Sequence, residues 1–358
     1  MANFKKSHLA KVLSLTLALI FILGSFAGCG GEKEPETTEP ATKVETTKAE
    51  KVIRNPLTGE AGYDAKLLKN RSVLVSVENH PDARPQWGLT SSDIVWEMVA
   101  EGGITRMLLM YADASRLPDK LGPTRSARHY FVDIAEGFDS IFVHFGYSPY
   151  AKSQISNHGV DNVNGLVDGS YFFRDRSRGV ASEHTAYTTK EAIEKAIADK
   201  GYRTTAEEEY QTPFKFSSKA RTLADGKCTE FKVSFSSGYT YTYTYDAEEK
   251  VYLSSLNGNK FVDSDGTQQN FENIIVCYTT ISSMNDSKNR VTFDLSEGHG
   301  TYVSNGSYES ITWKKGDSDD MMKFYDADGN ELKLNIGRTY IALVGKDMES
   351  KTVISAGE

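Results

Sequence analysis

At 358 residues the chain is long enough for two cores of ordinary domain size, and its net charge of −8, without a basic block, argues against nucleic acid as a partner. The same balance argues against purely electrostatic docking on a membrane surface. Beyond Cys29 the cysteines are Cys228 and Cys277, with neither CxxC nor Cys/His spacing, so no zinc site, other metal or cofactor is expected.

In chain order, Lys5, Lys6 and Lys11 precede an apolar run from Val12 to Leu23, which closes on Phe26-Ala27-Gly28-Cys29. A basic end, an apolar middle and small residues before a cut predict a secretory signal over residues 1–28. The run is twelve residues, shorter than the ~20 that a membrane-crossing helix needs. Ala27-Gly28-Cys29 resembles a bacterial lipobox, which implies lipid on the Cys29 thiol and a membrane-anchored protein on the extracytoplasmic face. The alternative is an uncleaved anchor helix with an ordinary cysteine. Residues 29–54, dominated by Glu, Thr, Lys and Pro, read as a disordered tether. As a coil its ~25 residues span ~28 Å; fully stretched they reach ~80 Å.

Residues 55–205 mix strands and helices, the pattern of an α/β or α+β domain. Val73 to Val77 is β-branched and short enough for a buried strand. Asp93 to Glu101 and Ile104 to Tyr111 flank Gly102-Gly103, a two-residue hairpin signal. That register pairs Val99 with Arg106 and Glu97 with Leu108, so Glu97, Glu101 and Arg106 share one face, as an ion-pair ladder or a polar site. The two acids are then ~13 Å apart, too far for either glycosidase carboxylate pair. Thr124 predicts an N-cap for a helix over Arg125 to Glu136, with Arg125, Ser126 and Arg128 in its first turn. Cations there oppose the helix dipole unless an anionic ligand, or a protein acid such as Asp133 or Glu97, joins them.

Ile141 to Phe145 is a further strand. If it runs parallel to Val73–Val77, His80 and His144 share a crevice beyond the strand ends. Ser148-Pro149 predicts a helix start. A polar loop over Phe173 to Arg178 leads to Glu183-His184-Thr185. For each of these histidines alone, a satisfied structural role is the alternative. Thr189 caps a second helix, stopped by Gly201.

Residues 213–356 lack helical periodicity and predict a mostly antiparallel β domain, with turns at Asn257-Gly258, Asp265-Gly266, Asn305-Gly306 and Asp328-Gly329. Tyr239, Tyr241, Tyr243 and Tyr245 line one strand face, either packed inward or free to stack on a sugar. Asp326 to Asn330 reads as a turn rather than a calcium loop. Cys228 and Cys277 read as separate buried thiols, with a disulfide as the alternative that export permits.

Several segments resemble the YerB-like lipoproteins: Asn55-Pro56-Leu57-Thr58-Gly59, Glu78 to Gln86, Glu101 to Arg106, Gly122 to Arg128, Ile311 to Lys315, and Phe324-Tyr325-Asp326 with Gly329. The resemblance implies paired N- and C-terminal domains of unknown function on a lipoprotein signal, and assigns no catalytic residue. Where the family pattern has Pro-His-Asn, this chain has Glu183-His184-Thr185. The expected function is a non-catalytic envelope module that recognises an anionic wall component or a wall-synthesis protein. The alternative is a hydrolase or transferase on a wall glycopolymer, with His80 or His144 as general base and Arg125 or Arg128 holding an oxyanion.

Overall fold

The computed structural model describes residues 52–356. The signal, Cys29 and nearly all of the tether lie outside the described residues. Among the described residues, no helix is long and apolar enough to cross a membrane.

The first half supplies β1 (Val73–Glu78), β2 (Ile94–Val99), β3 (Thr105–Tyr111), α1 (His129–Gly137), β4 (Ile141–His144), α2 (Pro149–His158), β5 (Asn162–Asn164) and α3 (Lys190–Asp199). The second half supplies β6 (Glu230–Ser236), β7 (Tyr239–Asp246), β8 (Val251–Leu256), β9 (Asn273–Thr279), β10 (Glu297–Ser304), β11 (Ser307–Lys314), β12 (Lys323–Tyr325), β13 (Thr339–Gly345) and β14 (Val353–Ser355), besides shorter strands. The first half is thus mixed and the second mostly antiparallel.

A large sheet runs β12-β11-β10-β9-β13-β2-β3-β1-β4-β5. Its centre is where the halves meet: β13 pairs in parallel with β2 on one side and β9 on the other, aligning Thr339 with both Ile94 and Asn273. The sequence break near residues 204–213 therefore does not divide this sheet. Strands β1, β2, β3 and β13 are buried along their whole length. Both faces are covered, which is why the sequence there is almost continuously apolar. A smaller sheet of β8-β7-β6-β14 and two short strands covers one face. There the inward tyrosines of β7 pack, with Tyr241 and Tyr243 stacked and both close to Tyr340. On the other face, Phe138 beyond the end of α1 meets Trp96 edge-on.

Local signals explain much of this. Ser148 accepts a hydrogen bond from Ala151 N, with Pro149 opening α2. Thr189 caps α3 through Ala192 N. Asn257-Gly258 and Asn305-Gly306 take φ of 51° and 80°, and 50° and 69°, as type I′ hairpin turns demand. Asp326 caps its own tight turn by accepting from Asp328 N and Asn330 N. Cys228 and Cys277 are both buried and unbonded to each other.

Two expectations require correction. The β2–β3 hairpin pairs Val99 with Thr105 and Met98 with Arg106, not Val99 with Arg106. A short turn over Glu101–Gly103 lengthens the connection, and a one-residue slip sends every side chain to the other face. Glu97 and Arg106 consequently do not share a face. The helix expected from Arg125 starts only at His129, with Arg128 at its N-cap. Residues 124–127 are extended instead: Thr124 bridges Val77 and Ala127 bridges Tyr147. Neither Arg125 nor Ser126 opposes a helix dipole.

Candidate functional site

Strand β1 ends at Glu78 and delivers Asn79 and His80 to the rim of the large sheet. His80 caps the turn Pro81–Ala83, its Nδ1 accepting from Asp82 N at 3.2 Å. The turn Ser182–His184 is brought alongside because Thr124 N donates to Ala186 O at 2.7 Å. The rings of His80 and His184 then stack, centroids 4.5 Å apart and planes 11° apart.

His184 is held from behind. Its Nδ1 lies 2.9 Å from Glu78 Oε2, and because a carboxylate accepts, Nδ1 carries a proton; in the neutral ring this leaves the lone pair on Nε2. Arg125 Nε sits 3.1 Å from the other oxygen, Glu78 Oε1, and its Nη2 lies 3.5 Å from Glu183. Asp82 Oδ2 faces both rings, 3.7 Å from His80 Nδ1 and 3.9 Å from His184 Nε2. His184 and Glu78 are buried, whereas Asp82 is exposed.

Beside this cluster, sharing Asp82 with it, lies a cleft of about 510 Å³ lined by Pro81, Asp82, Arg84, Pro85, Trp87, Arg178 and Ser264. The Trp87 ring is flanked by Arg178, 4.5 Å from its centroid, and by Lys120 at 3.8 Å. Arg84 donates through Nε and Nη2 to Asn79, leaving Nη1 free of that grip. Arg178 donates through Nη2 to Pro85 O, while its Nη1 is buried with no partner among the described residues.

The remaining expected residues divide. Arg106 and Arg128 both donate to the Ser126 carbonyl, at 2.7 and 3.3 Å, and Arg128 forks onto Glu101. Arg106 is buried over Phe131; burial and the neighbouring Arg128 charge bring its pKa down to about 9. These three, with Ser126, form an internal ion-pair group. Glu97 lies fully buried on the opposite face, where Asn79, Thr105, Tyr241 and Tyr340 donate to it. Burial pushes its carboxyl up against those donors. Strands β1 and β4 are parallel, as the shared crevice required. Yet His144 is wholly buried, its Nδ1 donating to Gly146 O at 2.7 Å and its Nε2 3.2 Å from Asn162 Oδ1. Burial lowers it to about 4. It belongs to the core.

The structure thus brings together His80, Arg125 and His184, and adds Glu78, Asp82, Trp87 and Arg178. Glu78 and Asp82 flank His80 in sequence, within the Glu78 to Gln86 segment that carries the family resemblance. Nothing local joins them to His184. A larger depression of about 850 Å³ around Tyr210, Lys315 and Asp320 gathers mixed charges; there Lys315 Nζ is spent on the carbonyls of Asp317 and Ser318.

With that geometry in view, two family models match the chain: the N-terminal domain of a protein of unknown function (DUF3048) over residues 57–203, and its C-terminal domain over residues 231–341. The chain belongs to this DUF3048 family. It is 36% identical over 315 residues to "Putative lipoprotein YerB" of Bacillus subtilis (strain 168), covering 86% of this chain and 90% of the relative. The crystal structure of YerB protein from Bacillus subtilis matches with a TM-score of 0.75 at 34% identity, over 85% of this chain and 99% of that one. The resemblance read from the sequence motifs is therefore correct, and that relative's name agrees with the lipoprotein signal.

Proposed function

We propose that this protein is a non-catalytic envelope module, anchored by lipid on Cys29 at the extracytoplasmic face of the cell membrane, that binds an anionic cell-wall component in the Trp87 cleft. The observation that carries this reading is Arg178: a guanidinium nitrogen buried without a partner at the wall of an open cleft, against an indole ring. A buried donor left unpaired costs about 1–3 kcal/mol, and an incoming carboxylate or phosphate would recover it. Planar guanidinium groups suit those anions, and the Trp87 ring holds the Arg178 guanidinium at the cleft through a cation–π contact.

Sedimentation of the full-length chain in detergent with purified cell wall tests this. The expected result is co-sedimentation, reduced at least tenfold in binding constant by Arg178→Gln or Trp87→Ala, with no soluble fragments released. Binding that ignores both substitutions, or no binding at all, overturns the reading and points to a protein partner.

One observation favours a hydrolase instead. Glu78 orients His184 so that Nε2 is available as a general base. Release of wall fragments, abolished by Glu78→Gln, would establish that alternative.

A further inference from the structure

We infer that His80, Asp82 and His184 form a site for one divalent transition-metal ion of the zinc type. One donor atom from each residue lies within 4.8 Å of the others. This inference does not depend on the wall-binding reading.

Three features carry it. First, the donor set is two imidazole nitrogens and a carboxylate oxygen, which suits zinc, nickel or copper rather than the all-oxygen shells of calcium and magnesium. Second, His184 is already prepared as a ligand. Metal-bound histidines characteristically give their other N–H to a carboxylate, which fixes the ring and raises its basicity. Here Glu78 is that carboxylate, and Arg125 in turn holds Glu78. The free Nε2 of His184 therefore faces Asp82. Third, a further donor is at hand: Glu183 Oε1 lies 3.6 Å from His184 Nε2 and can complete a tetrahedron, or leave that position to water.

The adjustments needed are small and fall on His80, which is partly exposed, and Asp82, which is exposed. Zinc bonds of ~2.0–2.2 Å require the three donors to draw together. The two stacked rings hold their lone pairs side by side, so one must tilt for both to converge. His80, with a side chain about one-third exposed, is free to do so, whereas His184 is held. His80 would contribute Nδ1, exchanging the Asp82 N–H bond for the ion. Asp82 also lines the Trp87 cleft. An ion bound there would neutralise the Asp82 carboxylate, which otherwise repels an anionic ligand from that cleft.

The test is calorimetric titration of the untagged, chelator-stripped full-length chain in detergent with zinc chloride. One saturable site is expected, weakened at least tenfold by His80→Ala at a partly exposed position and by Asp82→Asn at an exposed one; the latter leaves the His80 turn cap in place. Glu78→Gln should weaken it 10- to 100-fold through the orientation of His184. Replacing His158 and His299, two exposed histidines paired with Glu136 and Glu349 elsewhere, should leave it intact. Absence of saturable uptake overturns the inference, as does uptake that survives both His80→Ala and Asp82→Asn. Wall sedimentation by chelator-stripped protein is read separately, so either idea can fail alone.

Discussion

Glu97 and Arg106 stand on adjacent strands and face opposite sides of the large sheet. Glu97 meets Tyr241 of the small sheet and Tyr340 of the neighbouring strand β13, while Arg106 lies over Phe131 of α1. Each charge is therefore enclosed in a different layer, and each depends on its own partners.

For Glu97 that dependence is testable at Tyr340. Its hydroxyl, 2.9 Å from Glu97 Oε2, is the one group bonded to that oxygen among the described residues. Tyr340→Phe keeps the ring and strands half of a buried carboxylate. The expected loss is about 1–3 kcal/mol in urea unfolding at neutral pH; an unchanged midpoint would contradict the arrangement.

His144 predicts an acid-labile fold. Its folded pKa of about 4 lies below the ordinary value of 6.5, so the unfolded chain takes up the proton first. Its contribution is complete above about pH 6.5 and disappears as pH falls through about 4, a loss on the order of 3 kcal/mol. Unfolding curves at stepped pH should show this slope, and His144→Gln should flatten it.

Gly300 lies on β10 opposite Cys277 of β9. A Cβ there would sit 2.1 Å from the carbonyl oxygen of Val276, a backbone atom with little room to yield. Gly300→Ala should cost at least about 2 kcal/mol. At Gly258 a Cβ meets nothing and only the positive φ is strained, so Gly258→Ala should cost about 1–2 kcal/mol. Thermal unfolding of the two variants should rank them in that order.

The thiols should be silent. Burial pushes Cys228 up to about 12 and raises Cys277 as well, and the thiolate is the reactive form. Iodoacetamide should modify neither in the native protein and both after denaturation, and intact mass should show no bond between them.

What the sequence made legible was local. The strand at Val73, the caps at Ser148 and Thr189 and the two Asn-Gly turns each depend on neighbouring residues, and each formed as read. The β2–β3 register failed because Gly102-Gly103 fits a two-residue turn, whereas the chain inserts a turn at Glu101 that shifts every pairing by one. The helix expected at Arg125 failed because the sheet rim takes residues 124–127 as extended edge partners, overriding their helical pattern. The candidate site was half visible. His80 and its acidic neighbours stand together, but His184 arrives from a turn 104 positions on, and no spacing rule reaches that far.

The place of β13 has a consequence for how the molecule comes into being. Of the strands in the large sheet it is the last to leave the ribosome, yet it is central, and β2 and β9 lack their shared neighbour until it arrives. A nascent chain ending short of residue 345 presents two hydrogen-bonding edges flanked by apolar faces, the kind of surface that invites wrong partners. Folding of the large sheet is therefore closed by residues 339–345, which join its two halves into one body.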